Sequence, residues 1–215
     1  MVHHVGSQSS ILGTYLAEIR ALGIQDDRLR FRHNLERIAE ILSYELSKTL
    51  PSKTLEVQTP LGVANEKVIE SQPILFTILR AGLAMHQGVL RYFDHADSAF
   101  ISAYRNHSSP EAFQIKVEYM AAPNIDQKIW IISDPMLATG SSMVAVYEAL
   151  LEYGTPTEVH VLSAIAAPQA LELLKEKLPV NTQIWVGAID QGLNEKSYIL
   201  PGLGDAGDLA FGIKI

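Results

Sequence analysis

Along most of the chain, short apolar runs alternate with amphipathic stretches. Apolar residues recur at helical spacing in Ile11 to Leu22 and in Asp26 to Leu50, where Ile38, Ile41, Leu42 and Leu46 form a stripe, and Pro51 ends the second segment. From Pro73 the period changes. "PILFTIL" (73–79), "SAFISAY" (98–104), "KIWIIS" (128–133), "EVHVLSAIA" (158–166) and "QIWVGAI" (183–189) are apolar runs of strand length. Between them, "AMHQGVLRYF" (84–93), "SSMVAVYEALLEYG" (141–154) and "PQALELLKEKL" (168–178) read as helices, the second with Gly154 as its C-cap. Strands apolar on both faces that alternate with helices predict an α/β fold. Its parallel sheet would carry helices on both faces and bind ligands beyond the carboxyl ends of the strands. A single domain over 1–215 is expected, with an N-terminal helical region (1–72), a core (73–190) and a C-terminal segment (191–215).

Composition narrows the function classes. The 215 residues, 47 % hydrophobic, suffice for one domain with a substantial core. No apolar run approaches the ~20 residues of a membrane helix. The opening "MVHHVGSQSS" lacks the apolar stretch of a signal peptide, so a cytoplasmic location is the expectation. Without cysteine there are no disulfides and no thiolate metal sites. No His, Asp or Glu cluster has metal-ligand spacing, and His3 and His4 are expected in a mobile tail, so no protein metal site is expected. The net charge of −7 argues against nucleic acid as a partner, and cations for an anionic ligand must be local.

The most informative strand end is "IWIISDPMLATGSS". An apolar strand stops at Ser133, and Thr139, Gly140, Ser141 and Ser142 form a turn at the start of a helix, where free N–H groups and the helix dipole favour a phosphate. No lysine lies in the turn, so it is not the P-loop of an ATPase or GTPase. Taken alone, "TGSS" is equally an ordinary N-cap. Asp134, at the very end of the strand, adds an acceptor for vicinal ribose hydroxyls. Strand end and turn together are a cradle for ribose 5-phosphate.

The stretch "SDPMLATGSS" resembles the phosphoribosyl pyrophosphate (PRPP) motif of phosphoribosyltransferases, in the form found in the uracil phosphoribosyltransferase family. The likeness extends through "ILRAGL" (78–83), "YRN" (104–106), "IDQGLNE" (189–195) and "YILPGLGDAGD" (198–208), and more weakly to "LSYEL" (42–46). It implies transfer of a phosphoribosyl group from PRPP to uracil, giving UMP and pyrophosphate, with Mg²⁺ carried by PRPP and a homo-oligomeric assembly. By the same resemblance, PRPP falls to Asp134, Pro135, Met136, Leu137, Ala138, Thr139, Gly140, Ser141 and Ser142, to Arg80, Ala81 and Gly82, and to Arg105 and Asp205. Uracil falls to Ile199, Gly204, Asp205 and Ala206, with Arg105 and Asp205 the catalytic pair. Ser141 stands where the family usually has glycine. Read singly, Arg80 and Arg105 are better explained as surface or ion-pair residues; their positions at strand carboxyl ends and the family resemblance reverse that.

Gly202-x-Gly204-x-x-Gly207 also has the spacing of a dinucleotide fingerprint. Only eight residues follow Gly207, without helical pattern, which leaves the fingerprint no helix to open. The resemblance instead makes this segment a base-binding loop. Residues 106–124 differ from the family and are expected to form a flap. Two other readings remain: a phosphoribosyltransferase for another base, and a non-catalytic PRPP-sensing regulator that binds RNA, which the negative charge opposes.

Overall fold

The computed structural model describes residues 1–106 and 114–214, with side chains described outside 103–118. A short strand β1 (Val2–His4) precedes helices α1 (Ile11–Arg20) and α2 (Arg28–Ser47), followed by strands β2 (Ser52–Thr59) and β3 (Gly62–Ile69). The core then alternates: β4 (Ile74–Leu79), α3 (Gly82–Tyr92), β5 (Asp97–Asn106), β6 (Gln114–Ala121), β7 (Ile129–Ser133), β8 (Met136–Leu137) and α4 (Ser141–Leu150). It continues with β9 (Glu158–Ala166), α5 (Pro168–Lys177) and β10 (Gln183–Ile189), and closes with β11 (Gly192–Leu193), β12 (Ile199–Leu200) and α6 (Ala206–Phe211).

The main sheet has the order β1-β10-β9-β7-β4-β5-β6, with β8 also paired to β9. Every pairing in it is parallel except β5 with β6. Alternate side chains of one strand enter two separate cores. Ile129 and Ile131 of β7 pack with α1, α2 and α3, whereas Trp130 and Ile132 pack with α4 and α5. Burial of both faces is why these strands are almost wholly apolar. Among the described residues, no helix is long and apolar enough to cross a membrane.

Five expectations need correction. The 1–72 region is not wholly helical: residues 52–69 form the β2–β3 hairpin, closed where Thr59 Oγ1 accepts the Leu61 and Gly62 N–H groups. Most of its side chains are exposed, so no apolar alternation marks it. His3 and His4 lie in β1 rather than in a mobile tail. β1 joins the sheet edge beside β10, and the His3 ring stacks 3.8 Å from Trp185. Within the expected flap, Gln114–Ala121 is the edge strand β6, while 107–113 lie outside the described residues. Helix α4 ends at Leu150 instead of reaching Gly154, which serves close approach: a Cβ there would meet Asp126 Cα at 2.8 Å. Finally, the residues after Asp205 are helical. Six residues are too few to display a period, and an N-cap, rather than a pattern, starts α6.

Candidate active site

The cradle is built where β7 stops. Asp134 N–H donates to Leu162 O at 3.1 Å, and Met136 N–H donates back to Asp134 Oδ1 at 3.3 Å, so the chain turns while still attached to β9. Burial pushes the Asp134 carboxyl up to about 7, opposed only by the Met136 N–H. The turn ends at Gly140, whose φ of +83° caps α4. A Cβ at Gly140 would meet Leu174 Cδ1 at 2.7 Å and Ala170 Cα at 3.2 Å, so both conformation and α5 exclude a side chain. Ser141 opens the helix, and its N–H donates to Thr139 Oγ1 at 3.3 Å. The next two N–H groups belong to the unpaired first turn.

Facing the cradle is the C-terminal segment. Asn194 Oδ1 accepts the Lys196 and Tyr198 N–H groups, which shapes the turn between β11 and β12. Gly202 is held from two sides. Its N–H donates to Asp190 Oδ2 at 2.9 Å, and its carbonyl accepts from Arg20 Nη1 at 3.0 Å. Arg20 grips Asp190 with both Nη atoms, at 2.7 and 2.9 Å. The glycine motif is thus an anchored loop, with positive φ at Gly202 and Gly204, leading into the Asp205 N-cap of α6. Arg80, just beyond β4, donates to Asp208 Oδ1 at 2.9 Å and to Gly212 O at 3.1 Å.

Cradle and loop enclose one cavity of about 690 Å³. Of the residues singled out from sequence, Arg80, Ala81, Asp134, Met136, Ala138, Ser142, Gly204, Asp205 and Ala206 line it. Gly82, Pro135, Leu137, Thr139, Gly140, Ser141 and Ile199 are not among its lining residues. Leu137 and Ile199 have side chains in the cores, and Gly82 lies beneath the floor, where a Cβ would meet Thr77 Oγ1 at 2.6 Å. Arg105 stands near the end of β5, and its side chain lies outside the described residues. Lys196, Ser197, Tyr198, Lys214 and Ser102 also line the cavity, and none was singled out from sequence. Lys196 adjoins "IDQGLNE" and Tyr198 opens "YILPGLGDAGD", whereas Lys214 carries no local signal.

Residues 7–213 match the family model described as uracil phosphoribosyltransferase. The chain belongs to the uracil phosphoribosyltransferase family. A relative from Porphyromonas gingivalis, named uracil phosphoribosyltransferase, is 50 % identical over 214 residues, covering 100 % of this chain and 99 % of its own. One of the same name from Thermococcus sibiricus is 38 % identical, covering 88 % and 82 %. Among solved structures, the AQ2163 protein of Aquifex aeolicus superposes with a TM-score of 0.87 at 31 % identity, covering both chains fully. A hypoxanthine phosphoribosyltransferase of Staphylococcus aureus gives a TM-score of 0.52 at 14 % identity, covering 75 % of this chain and 76 % of its own, a likeness of fold alone. In this member of the uracil phosphoribosyltransferase family the cavity lies at the carboxyl ends of β4 and β7, where an open parallel sheet places its ligands.

Proposed function

We propose that the chain transfers the phosphoribosyl group of PRPP to uracil, forming UMP and releasing pyrophosphate in pyrimidine salvage. One observation carries this reading: a single cavity joins the Asp134 strand end and the start of α4 to the glycine-rich loop at Gly204–Ala206. Membership of the uracil phosphoribosyltransferase family supports it. The α4 N-terminus takes the 5′-phosphate, and the Asp134 carboxylate accepts the ribose hydroxyls. Arg80 faces the pyrophosphate, the family resemblance assigns Arg105 to the same group, and the loop backbone matches the N–H and C=O groups along the uracil edge. The uracil ring nitrogen then forms the bond to the anomeric carbon as the carbon–oxygen bond to pyrophosphate breaks. The ring nitrogen gives up its proton to the departing pyrophosphate, and the carbon inverts through an oxocarbenium-like transition state. Positioning and stabilisation of the leaving charge supply most of the acceleration.

Two carboxylates, Asp134 and Asp205, line the cavity, and this small oxygen donor set fits Mg²⁺ held mainly by substrate phosphates. Bound in that way, with Asp205 toward one of its waters, Mg²⁺ would neutralise charge on the pyrophosphate. Incubation of the protein with uracil, PRPP and Mg²⁺ is expected to yield UMP and pyrophosphate in equal amounts. No UMP from the folded protein, or equal turnover of cytosine, would overturn the reading.

A further inference from the structure

Arg80 faces the cavity, yet its contacts run to the other side. Among the described residues its guanidinium uses two of its five N–H donors, one to Asp208 Oδ1 and one to Gly212 O, and three are left for a ligand. The same Asp208 oxygen accepts the Lys214 N–H at 3.3 Å. The Asp208 N–H donates to Asp205 Oδ1 at 3.0 Å, and Asp205 itself lines the cavity. Asp208 therefore sits between the arginine at the end of β4 and the residue that caps α6.

We propose that Asp208 is a positioning residue for phosphoribosyl transfer: its ion pair with Arg80 fixes the guanidinium on the pyrophosphate side of the cavity and ties that side to the base loop. The proposal rests on the reaction proposed above. Two effects of the Asp208 carboxylate oppose each other. Its charge partly cancels that of Arg80 and weakens attraction for an anion, but the pair is 43 % and 27 % exposed, so water screens most of this. Against it stands the rotamer freedom of arginine, worth about thirtyfold in affinity if wholly frozen on binding. Asp208 and Gly212 have frozen part of that freedom before PRPP arrives. Positioning is thus the larger effect, and loss of the carboxylate is expected to weaken PRPP use.

The test is initial-rate kinetics with uracil, PRPP and Mg²⁺ for wild type, Asp208→Ala, Asp208→Asn and Asp208→Glu. Asp208→Ala is expected to raise KM for PRPP about 5–10-fold, while kcat and KM for uracil stay within about twofold. Asp208→Asn keeps the size and one acceptor; it is expected to lie in between, and it carries the test if the alanine variant unfolds. Asp208→Glu restores part of the loss. The double variant Arg80→Ala, Asp208→Ala is expected to be no worse than Arg80→Ala, because Asp208 acts only through the arginine. An unchanged or lowered KM for PRPP, a rise in KM for uracil instead, or additive losses in the double variant would overturn the positioning role. A wild-type chain that makes no UMP would overturn the reaction itself and this role with it.

Discussion

In the proposed reaction Asp134 would serve binding at the expense of stability. Its carboxyl is pushed up to about 7 by burial, so the folded chain holds this proton more tightly than the unfolded chain. Between about pH 4 and pH 7 the folded state binds the extra proton, and stability contributed by this residue therefore falls as pH rises through that window. Asp134→Asn removes the titration. It is expected to stabilise the protein by on the order of 3 kcal/mol at pH 8 and by little at pH 4, as read by chemical denaturation at the two values. The same variant should raise KM for PRPP about 10–100-fold, because an amide presents one acceptor where the carboxylate presents two. A variant that gained neither stability nor a PRPP defect would refute both effects. Of the site residues, the cavity-lining Asp134, Met136, Ala138 and Ser142 of "SDPMLATGSS" were legible, since a strand, an acid and a turn lie consecutively. Asp208 and Lys214 were not, because only the tertiary path of the last residues brings them to Arg80 and Asp205.

Helix α4 and the glycine-rich loop are each positioned by one device. For α4 it is Gly140, where alanine would meet both a positive φ and α5. Gly140→Ala is expected to cost about 2–4 kcal/mol in denaturant unfolding and to raise KM for PRPP by tilting the helix N-terminus. A stability within 0.5 kcal/mol of wild type, about the range of a neutral surface change, would contradict that packing. For the loop at Gly202, proposed above to bind the base, the device is Arg20 on α1, which pairs with Asp190 and holds the Gly202 carbonyl. The Asp190 side chain is only 5 % exposed, so Arg20→Ala leaves a nearly buried carboxylate without its partner. The expected cost is about 2–4 kcal/mol, with KM for uracil rising more than KM for PRPP. Equal effects on the two substrates would mean that Arg20 supports the fold and not the loop. Elements buried on two faces, such as β4, β7, β9 and β10, were readable from apolar runs alone. The β2–β3 hairpin has no buried face to impose a pattern, and α6 is shorter than two helical turns, so periodicity registers neither.

At the scale of the whole molecule, the fold class followed from strand and helix alternation, while the order of strands did not. Nothing in "VHH" at residues 2–4 indicates that it pairs with Ile184, Trp185 and Val186, since strand partners are chosen by three-dimensional closeness and not by local pattern. That pairing has a consequence for how the protein is made. β1 leaves the ribosome well ahead of β10, its sheet neighbour among the described residues, which is translated roughly 180 residues later. At about 5–20 residues per second, β1 waits on the order of 10–40 s for a partner. During that interval the N-terminus is open to proteases and chaperones, although the strands between are already able to associate. Nascent chains arrested before Gln183 are therefore expected to be clipped within the first ten residues by a protease that spares the finished protein, and equal protection of both would show that β1 docks elsewhere until β10 emerges.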